Sequence, residues 1–166
     1  MILEIKKYPD PILRKKCQEV TEITPEIIDL SQNMIKTLVV NQGVGLAAPQ
    51  VGELKRIIVV KYPEDKLAMN PTVFINPEIM EKTKETQVEE EGCLSFPALF
   101  LKIKRAKGVK IKALNLEGKE VLIKAEGFVA RIFQHEIDHL NGILFFDRLS
   151  FWRKLKLSKR GDIKKK

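Results

Sequence analysis

The chain has few residues of the kinds that bind metal or form disulfides, with two histidines and two cysteines among 166 residues. Two cysteines cannot build the disulfide framework of a small secreted domain, and they favour a reducing compartment. No apolar run approaches the roughly 18 residues of a membrane span, and the N-terminal segment has no apolar run typical of a signal peptide. We therefore expect a cytoplasmic globular protein without a membrane partner.

Both histidines lie in one five-residue motif, His135-Glu136-Ile137-Asp138-His139. Residues four apart in an α-helix share a face and lie about 6 Å apart along the axis. Two imidazoles so placed can bind one metal ion, and the carboxylate of Glu136 can then reach a water on that ion. The alternative is an ordinary amphipathic helix that carries two histidines.

A catalytic site of this kind needs a third protein ligand and one open position. In the pattern HExxHxxGxxH that ligand is a histidine, but Phe145 stands at its position, and no glutamate follows the motif. The third ligand is therefore expected upstream, where the candidates are Cys17 and Cys93. Cys17 lies in a basic stretch and is interpreted as a small, half-buried hydrophobic residue. Cys93 follows Gly92 and an acid-rich, strand-like segment, and it would be a thiolate beside a metal.

Three motifs occur along the chain in a fixed order: Gly43-Val44-Gly45-Leu46-Ala47-Ala48-Pro49-Gln50, Glu91-Gly92-Cys93-Leu94-Ser95 and Gln134-His135-Glu136-Ile137-Asp138-His139-Leu140. Together they resemble the peptide deformylase family, and the resemblance extends from about Ile2 to Ser150. Three motifs in order are far more specific than HExxH alone. One departure follows the second motif, where this chain has Ala98 after Pro97 and many relatives have glycine.

The resemblance implies a metal-dependent hydrolase that removes the N-formyl group from the formylmethionine of newly made polypeptides and releases formate. It implies Fe(II) as the native ion in many members, bound here by Cys93, His135 and His139. Cys/His ligation also suits Zn(II), Ni(II) and Co(II), so the sequence leaves the ion open.

The resemblance also implies the roles of three further residues. A metal-bound hydroxide attacks the formyl carbon, while Glu136 accepts the water proton and later gives it to the departing amine. The developing oxyanion is expected to meet the backbone N–H of Leu94 and the side-chain amide of Gln50. A polar residue that merely ends a strand is the alternative interpretation of Gln50.

Small residues in the first two motifs indicate how a peptide substrate binds. Gly43, Val44 and Gly45 leave room for an extended peptide to lie against the backbone as an added strand. Gly92 likewise lets the backbone approach closely. Such binding tolerates different residues after the first, because it relies on the main chain of the substrate.

The methionine side chain needs an apolar pocket, and the resemblance implies that the metal helix lines it. Ile132 and Phe128 lie one and two turns before His135 and are the expected pocket residues, with plain core packing as the alternative. Arg131 is expected to contribute its aliphatic stem to the same pocket.

Hydrophobic periodicity predicts an α+β fold with mostly antiparallel strands around a central metal-binding HExxH helix, preceded by an N-terminal helix. The first helix begins at Thr24-Pro25-Glu26 and reaches about Asn41, and the metal helix extends from about Gly127 to Asn141 before Gly142. Strands are predicted at Arg56–Lys61, Thr72–Asn76 ended by Pro77, the polar segment Glu81–Glu89, and a hairpin of Val109–Leu114 with Val121–Ile123.

The net charge of +8 is concentrated in residues 151–166, which hold eight basic residues and one acidic residue. We therefore predict one catalytic domain over residues 1–150 and a basic C-terminal tail over residues 151–166. A tail this basic can bind phosphate backbones, and some deformylases dock on the ribosome through a basic C-terminal segment. A solvated, partly disordered end is the alternative.

Two other functions stay open at the level of sequence. One is an HExxH metallopeptidase that cuts internal peptide bonds, although the Cys93 motif argues against it. The other is an RNA- or ribosome-binding protein with a structural metal. A structural zinc site needs four protein ligands, and no fourth ligand suggests itself.

Overall fold

The computed structural model of the protein describes residues 1–63 and 69–163, and within them the chain forms three α-helices and seven β-strands. The helices are α1 (Pro25–Val40), α2 (Gly127–Leu140) and α3 (Phe151–Lys159). The strands are β1 (Gly45–Ala47), β2 (Ile57–Pro63), β3 (Met69–Lys82), β4 (Thr86–Cys93), β5 (Phe96–Ala106), β6 (Gly108–Leu114) and β7 (Glu120–Glu126).

The strands form a five-stranded sheet of order β1-β2-β3-β6-β7 and a separate pair, β4-β5, and every ladder is antiparallel. The predicted α+β class with antiparallel strands is therefore confirmed, as is the hairpin of β6 and β7. In β6 the residues Val109, Ile111 and Ala113 are buried while Lys110 and Lys112 are exposed. This alternation is that of a strand with one face on the core.

Helices α1 and α2 cover opposite faces of the larger sheet. Strand β2 shows this directly, because Ile57 and Val59 pack in the core cluster of α1 while Ile58 and Val60 pack in that of α2. A strand covered on both faces has consecutive apolar residues, which explains the unbroken hydrophobic run of β2.

Helix α1 confirms the predicted N-terminal helix. Thr24 is the N-cap and Pro25 takes the first helical position, where its missing N–H costs nothing. Met34 and Leu38 are fully buried against the sheet. Asn41 caps the C-terminus by donating from its side chain to the carbonyl of Thr37 at 2.8 Å.

Strand β3 is longer than predicted. The prediction that Pro77 ends the strand Thr72–Asn76 is wrong, because β3 continues to Lys82 with a register shift in its ladder to β6. Proline has no N–H for the ladder, and the irregularity accommodates that loss. Asn76 adopts a positive φ of 50° there and binds both backbone groups of Val20 through its side-chain amide, at 2.8 and 2.9 Å.

The polar segment predicted as one strand over Glu81–Glu89 belongs to two strands. Strand β3 ends at Lys82 and β4 begins at Thr86, so a turn separates them. Strand β5, which pairs with β4, was not among the predicted strands, since its alternation is broken by consecutive apolar residues near its start.

Helix α2 carries the HExxH motif and is almost enclosed, with every residue from Ala130 to Leu140 buried. It begins at Gly127, directly after β7, and ends at Leu140, close to the predicted bounds. Gly142 has a φ of +70°, and a Cβ there would collide with the backbone of Arg14, so both conformation and space favour glycine.

Residues Phe151–Lys159 of the basic segment form helix α3. Leu157 on this helix and Ile163 after it are buried in a cluster with Leu13 and Phe96, so the described part of the segment packs on the body of the protein. The last three lysines, 164–166, lie outside the described residues. No helix in the described ranges is long and apolar enough to cross a membrane.

Candidate metal centre

Three side chains of metal-ligating type converge where the HExxH motif of α2 faces the end of β4. The donor atoms of Cys93, His135 and His139 all lie within 4.8 Å of one another. Cys93 Sγ lies 3.3 Å from His139 Nε2, which lies 3.2 Å from His135 Nε2. The structure thus brings together the three residues that the sequence indicated as ligands.

The imidazole of His135 is oriented by a carboxylate. Its Nδ1 lies 3.0 Å from Glu91 Oε2 in a buried hydrogen bond, and this assigns the proton to Nδ1. Nε2 of His135 is then the atom that faces His139. A carboxylate that fixes the tautomer in this way is the usual partner of a metal-bound histidine.

Glu91 is the functional residue that the sequence analysis did not single out. It accepts hydrogen bonds from Arg105 at 2.9 and 3.0 Å and from Arg131 at 2.6 Å, in addition to His135. Burial alone would raise the pKa of Glu91, but the hydrogen bonds from His135 and Arg105 outweigh it and lower the pKa far below the ordinary value. Glu91 is therefore ionised at neutral pH.

Arg105 links Glu91 to a second buried carboxylate. It donates to Asp138 on α2, and Arg148 donates to the same carboxylate from the other side, with its Nε at 3.0 Å. Arg105 and Asp138 are both buried. This chain of ion pairs ties α2, which carries two of the candidate ligands, to the β4-β5 pair, which carries the third.

The head group of Arg131 is held inside the protein. Its guanidinium is buried and bound to Glu91 and to the carbonyl of Ile103 at 2.9 Å. Arg131 lines the cleft, as expected for its stem, but its head group completes the ion-pair network instead of reaching water.

Glu136 lies beside the cluster, buried in the same part of α2. Burial outweighs the opposing charge of His135 and raises the pKa of its carboxyl to about 7. Among the described residues, its Oε2 has no hydrogen-bond partner. A Cβ at position 45 would collide with Glu136 Oε1, so Gly45 leaves this carboxyl the space that it occupies.

The pKa values of the two histidines are shifted in opposite directions. Burial lowers the pKa of His135, but its contacts with Cys93 and Glu91 more than reverse this and raise the pKa well above the ordinary value. Burial and the neighbouring His135 lower the pKa of His139 well below that value. His139 is thus neutral, the form in which an imidazole binds metal.

Gln50 is also aimed at the cluster. Its side-chain oxygen accepts from the backbone N–H of Ala47 at 2.8 Å, which assigns the amide so that Nε2 points the other way. Nε2 then donates to Cys93 Sγ at 3.4 Å and to Ser95 Oγ at 3.2 Å. Gln50 is buried and makes these three hydrogen bonds, so it is more than a polar residue that ends a strand.

A cleft of about 500 Å³ opens in front of the cluster. Of the thirteen residues that the sequence indicated for the site, twelve line this cleft, and His139 is not part of the lining. The twelve are Gly43, Val44, Gly45, Gln50, Gly92, Cys93, Leu94, Phe128, Arg131, Ile132, His135 and Glu136. Ile132 is buried in the floor, whereas Phe128 lies at the rim.

Cys17 stays apart from the cluster, as expected. It is buried in the core beneath α2 rather than half-buried, and burial raises the pKa of its thiol to about 11. Such a thiol is inert as a ligand at neutral pH.

The donor set suits a divalent transition metal. One sulfur and two imidazole nitrogens leave a fourth position open, as in catalytic rather than structural sites. The unpartnered Glu136 Oε2 beside them is what a water at that open position would hydrogen-bond. The residues therefore fit a metal-bound site.

Comparisons with known proteins agree with this geometry. A sequence profile described as "Polypeptide deformylase" matches residues 2–155. A peptide deformylase of Halothermothrix orenii is 54% identical over 148 residues, covering 89% of this chain and 94% of the relative. The crystal structure of a peptide deformylase from Thermotoga maritima superposes with a TM-score of 0.84 at 45% identity, over 90% of this chain and 99% of that one.

A third similarity is to a peptide deformylase from Acinetobacter baumannii whose crystal structure contains bound Met-Ala-Ser. It is 40% identical, with a TM-score of 0.84, and the match covers 90% of this chain and 99% of that one.

Proposed function

Because the chain belongs to the polypeptide deformylase family, we propose that it removes the formyl group of formylmethionyl polypeptides in the cleft beside Cys93, His135 and His139. The deformylase activity follows from the family. The assignment of the cleft is carried by one observation, the buried Glu136 carboxyl, whose Oε2 has no partner among the described residues, next to three converging donor atoms.

Cys93, His135 and His139 are the residues we assign to the metal. A divalent ion held by these three residues would supply Lewis-acid chemistry that activates water for attack. We propose Fe(II) as the native ion, as the family resemblance implies, and the same donors accommodate Zn(II), Ni(II) or Co(II). Glu91 supports the site by holding His135 through Nδ1.

Glu136 moves the proton. Its buried carboxyl, with an Oε2 that no described residue binds, accepts a proton from water and gives the same proton to the amine that leaves. Gly45 contributes by leaving room for the carboxyl.

Gln50 and Leu94 stabilise the oxyanion that forms on the formyl oxygen. The bond between its oxygen and Ala47 holds Nε2 of Gln50 beside Cys93, and the N–H that points to Cys93 Sγ is the donor we assign to the oxyanion. The backbone N–H of Leu94 follows Cys93 directly and is the second donor we assign. Each such donor is worth about 3 kcal/mol in comparable sites.

The peptide binds along β1 as an added strand. Strand β1 is at the edge of its sheet, and Gly43, Val44 and Gly45 line the cleft there. Gly92 forms the opposite wall. The deformylase from A. baumannii holds Met-Ala-Ser, a peptide of the kind that this reaction leaves, and we propose the same product class here.

Ile132 forms the floor of the methionine pocket, because it is buried and lies one turn before His135. Phe128, a further turn away, borders the pocket at its open end.

The basic segment carries the second part of the proposal. Four cations of α3 and its end are exposed, and we propose that they contact ribosomal phosphates, which brings the enzyme to new chains in the cytoplasm. They are Arg153, Lys156, Lys159 and Arg160. In this proposal residues 1–150 form the catalytic domain and residues 151–166 form the basic segment that contacts the ribosome.

The competing function, an HExxH metallopeptidase, differs in the bond that is broken. Metal-loaded protein is incubated with formyl-Met-Ala-Ser and with an acetylated decapeptide. We expect formate from the first and an intact second peptide. Cleavage of internal bonds without formate would overturn the proposed function.

A further inference from the structure

A second cavity, of about 620 Å³, lies beside α2 and shares no lining residue with the cleft. Its volume is within the range of about 300–1,000 Å³ that is usual for small-molecule sites. Seven of its twelve lining residues are charged, and four of these are basic: Lys16, Arg56, Lys82 and Arg148. A ligand that fits this cavity would therefore be bound by charge and hydrogen bonds more than by apolar burial.

Arg56 presents a guanidinium that is bound only to neutral groups among the described residues. It donates to Oδ1 of Asn141 and to the carbonyl of Pro77, each at 3.0 Å. A guanidinium has five N–H groups, so the other three have no protein acceptor within residues 1–63 and 69–163. Arg56 is half-buried, and its two bonds orient the group before any ligand binds.

Lys82 and Arg148 gather around one carboxylate. Arg148 donates to Asp138 with its Nε at 3.0 Å, and buried Arg105 donates to the same carboxylate. Burial lowers the pKa of Lys82 and repulsion by Arg148 lowers it further, while Asp138 opposes both effects. Asp138 therefore faces three cations, and an anion beside Lys82 and Arg148 would relieve their repulsion.

The acidic residues of the lining do not cancel this excess of basic groups. Glu78 lies opposite Lys112 of β6 in the antiparallel ladder, so a basic residue outside the lining offsets its charge. Glu19 is exposed, and the exposed Lys16 lies on the same segment. Asp138 is already bound by two guanidinium groups. The cavity therefore favours an anion over a metal cation.

A phosphate group matches these cations better than a carboxylate does. A guanidinium binds two phosphate oxygens at once through parallel N–H groups, and an ammonium adds a compact point charge. A phosphate monoester is close to dianionic at neutral pH, so one group can satisfy two cations that lack a carboxylate partner. The concave shape suits a small molecule, whereas a nucleic acid backbone binds protruding cations such as those of α3.

We propose that this cavity binds the phosphate group of a small phosphorylated molecule through Arg56, Lys82 and Arg148. The site uses none of the residues assigned to the metal or to the peptide substrate, so it does not depend on the proposed function.

The test titrates the zinc-loaded full-length protein with inorganic phosphate and with glycerol 3-phosphate in an isothermal calorimeter. The pH is neutral, and potassium chloride keeps the ionic strength constant, because added salt would itself screen the cations. We expect saturable binding of one equivalent of each compound. Binding of glycerol 3-phosphate at least as tight as that of inorganic phosphate is expected for a cavity that accepts a phosphorylated molecule.

Two variants assign the binding to the cavity. Lys82→Met removes an exposed ammonium, and Arg56→Lys keeps the charge but loses the paired N–H groups. Each should weaken phosphate binding by about tenfold, the effect of one charge-assisted hydrogen bond. Lys84→Met is the matched control, since Lys84 is exposed, follows β3 by two residues and lies outside the cavity lining. It should bind phosphate as the wild type does.

Absence of saturable phosphate binding in the wild type would overturn the proposal. Wild-type affinity in either cavity variant would do the same, because the phosphate would then bind elsewhere, for example on the metal or on α3. Equal weakening in Lys84→Met would show attraction by net charge alone and would also overturn it. None of these results bears on the proposed function, which formate release tests separately.

Discussion

Glu91 Oε2 accepts a hydrogen bond from His135 Nδ1 at 3.0 Å, and the two side chains are 4% and 9% exposed. This contact leaves Nε2 of the histidine to face the other two donors. Arg105 and Arg131 keep the carboxylate ionised, so the orientation of one proposed metal ligand depends on a network that extends to the far side of α2.

Replacing Glu91 tests that dependence. Glu91→Gln keeps the size of the side chain but leaves buried Arg105 with Asp138 alone and removes the carboxylate that buried Arg131 pairs with. We expect metal affinity to fall by about 10- to 100-fold and the free energy of unfolding of the metal-free protein by about 3 kcal/mol. Chelator competition measures the first and urea titration the second.

Glu89→Gln is the control for Glu91, because Glu89 lies on the same strand but is exposed. It should change neither quantity. Wild-type metal affinity in folded Glu91→Gln would show that the carboxylate does not orient the ligand.

The sequence indicated the three proposed ligands because their signal is local. His135 and His139 are one helical turn apart, and Cys93 lies in a short motif of its own. Glu91 was accessible to the same reasoning: it lies two residues before Cys93 in a strand and therefore on the same face. What the sequence could not show is which of three successive glutamates, 89 to 91, meets an arginine, because Arg105 comes from another strand.

Cys17 provides a pH dependence away from the metal centre. Burial raises the pKa of its thiol from 9.0 to about 11 in the folded protein. A folded pKa above the unfolded one stabilises the fold while the thiol is protonated, so the contribution is complete below pH 9 and is lost as the pH rises toward 11.

The free energy of unfolding should therefore fall between pH 8 and pH 10.5 by about 2 kcal/mol more in the wild type than in Cys17→Ala. Comparing the two proteins at each pH cancels the other titrating groups. Urea titration of both metal-free proteins measures the difference, and parallel pH profiles would contradict it.

The identity of the ion is tested by loading. Protein loaded anaerobically with Fe(II) should release formate from a formylmethionyl tripeptide faster than protein loaded with Zn(II). In air the iron protein should lose activity, because the iron and the Cys93 thiolate both oxidise, whereas the zinc protein should be stable. Equal rates in the two preparations would contradict the assignment of Fe(II).

Ribosome contact is tested by charge rather than by truncation, because Leu157 and Ile163 are buried and their removal would expose the core. Four cations are replaced with glutamine: Arg153, Lys156, Lys159 and Arg160. Ribosome affinity should fall and its salt dependence should weaken by about one unit of slope for each lost phosphate contact. Hydrolysis of tripeptides should stay unchanged.

The matched control neutralises four exposed cations of the β6-β7 hairpin: Lys110, Lys112, Lys119 and Lys124. If both sets reduce ribosome affinity equally, the binding reflects net charge and not the α3 segment.

Two features of the fold could not be predicted from sequence patterns, because each depends on a contact with a residue distant in the sequence. Pro77 normally ends a strand, yet β3 passes through it because Asn76 adopts a positive φ and binds Val20, which is distant in sequence. Arg131 on a helix face would ordinarily extend to water, but a buried carboxylate from β4 holds it inside. Both outcomes depend on tertiary partners.

The most direct test of the account is the Glu136→Gln variant, assayed for bound metal and for formate release in the same preparation. Glutamine keeps the shape of the side chain but cannot take up a proton. We expect the variant to bind one equivalent of metal, as the wild type does, and to release formate at least about 100-fold more slowly. Metal retention with near wild-type formate release would contradict the role of Glu136 and, with it, the proposed mechanism.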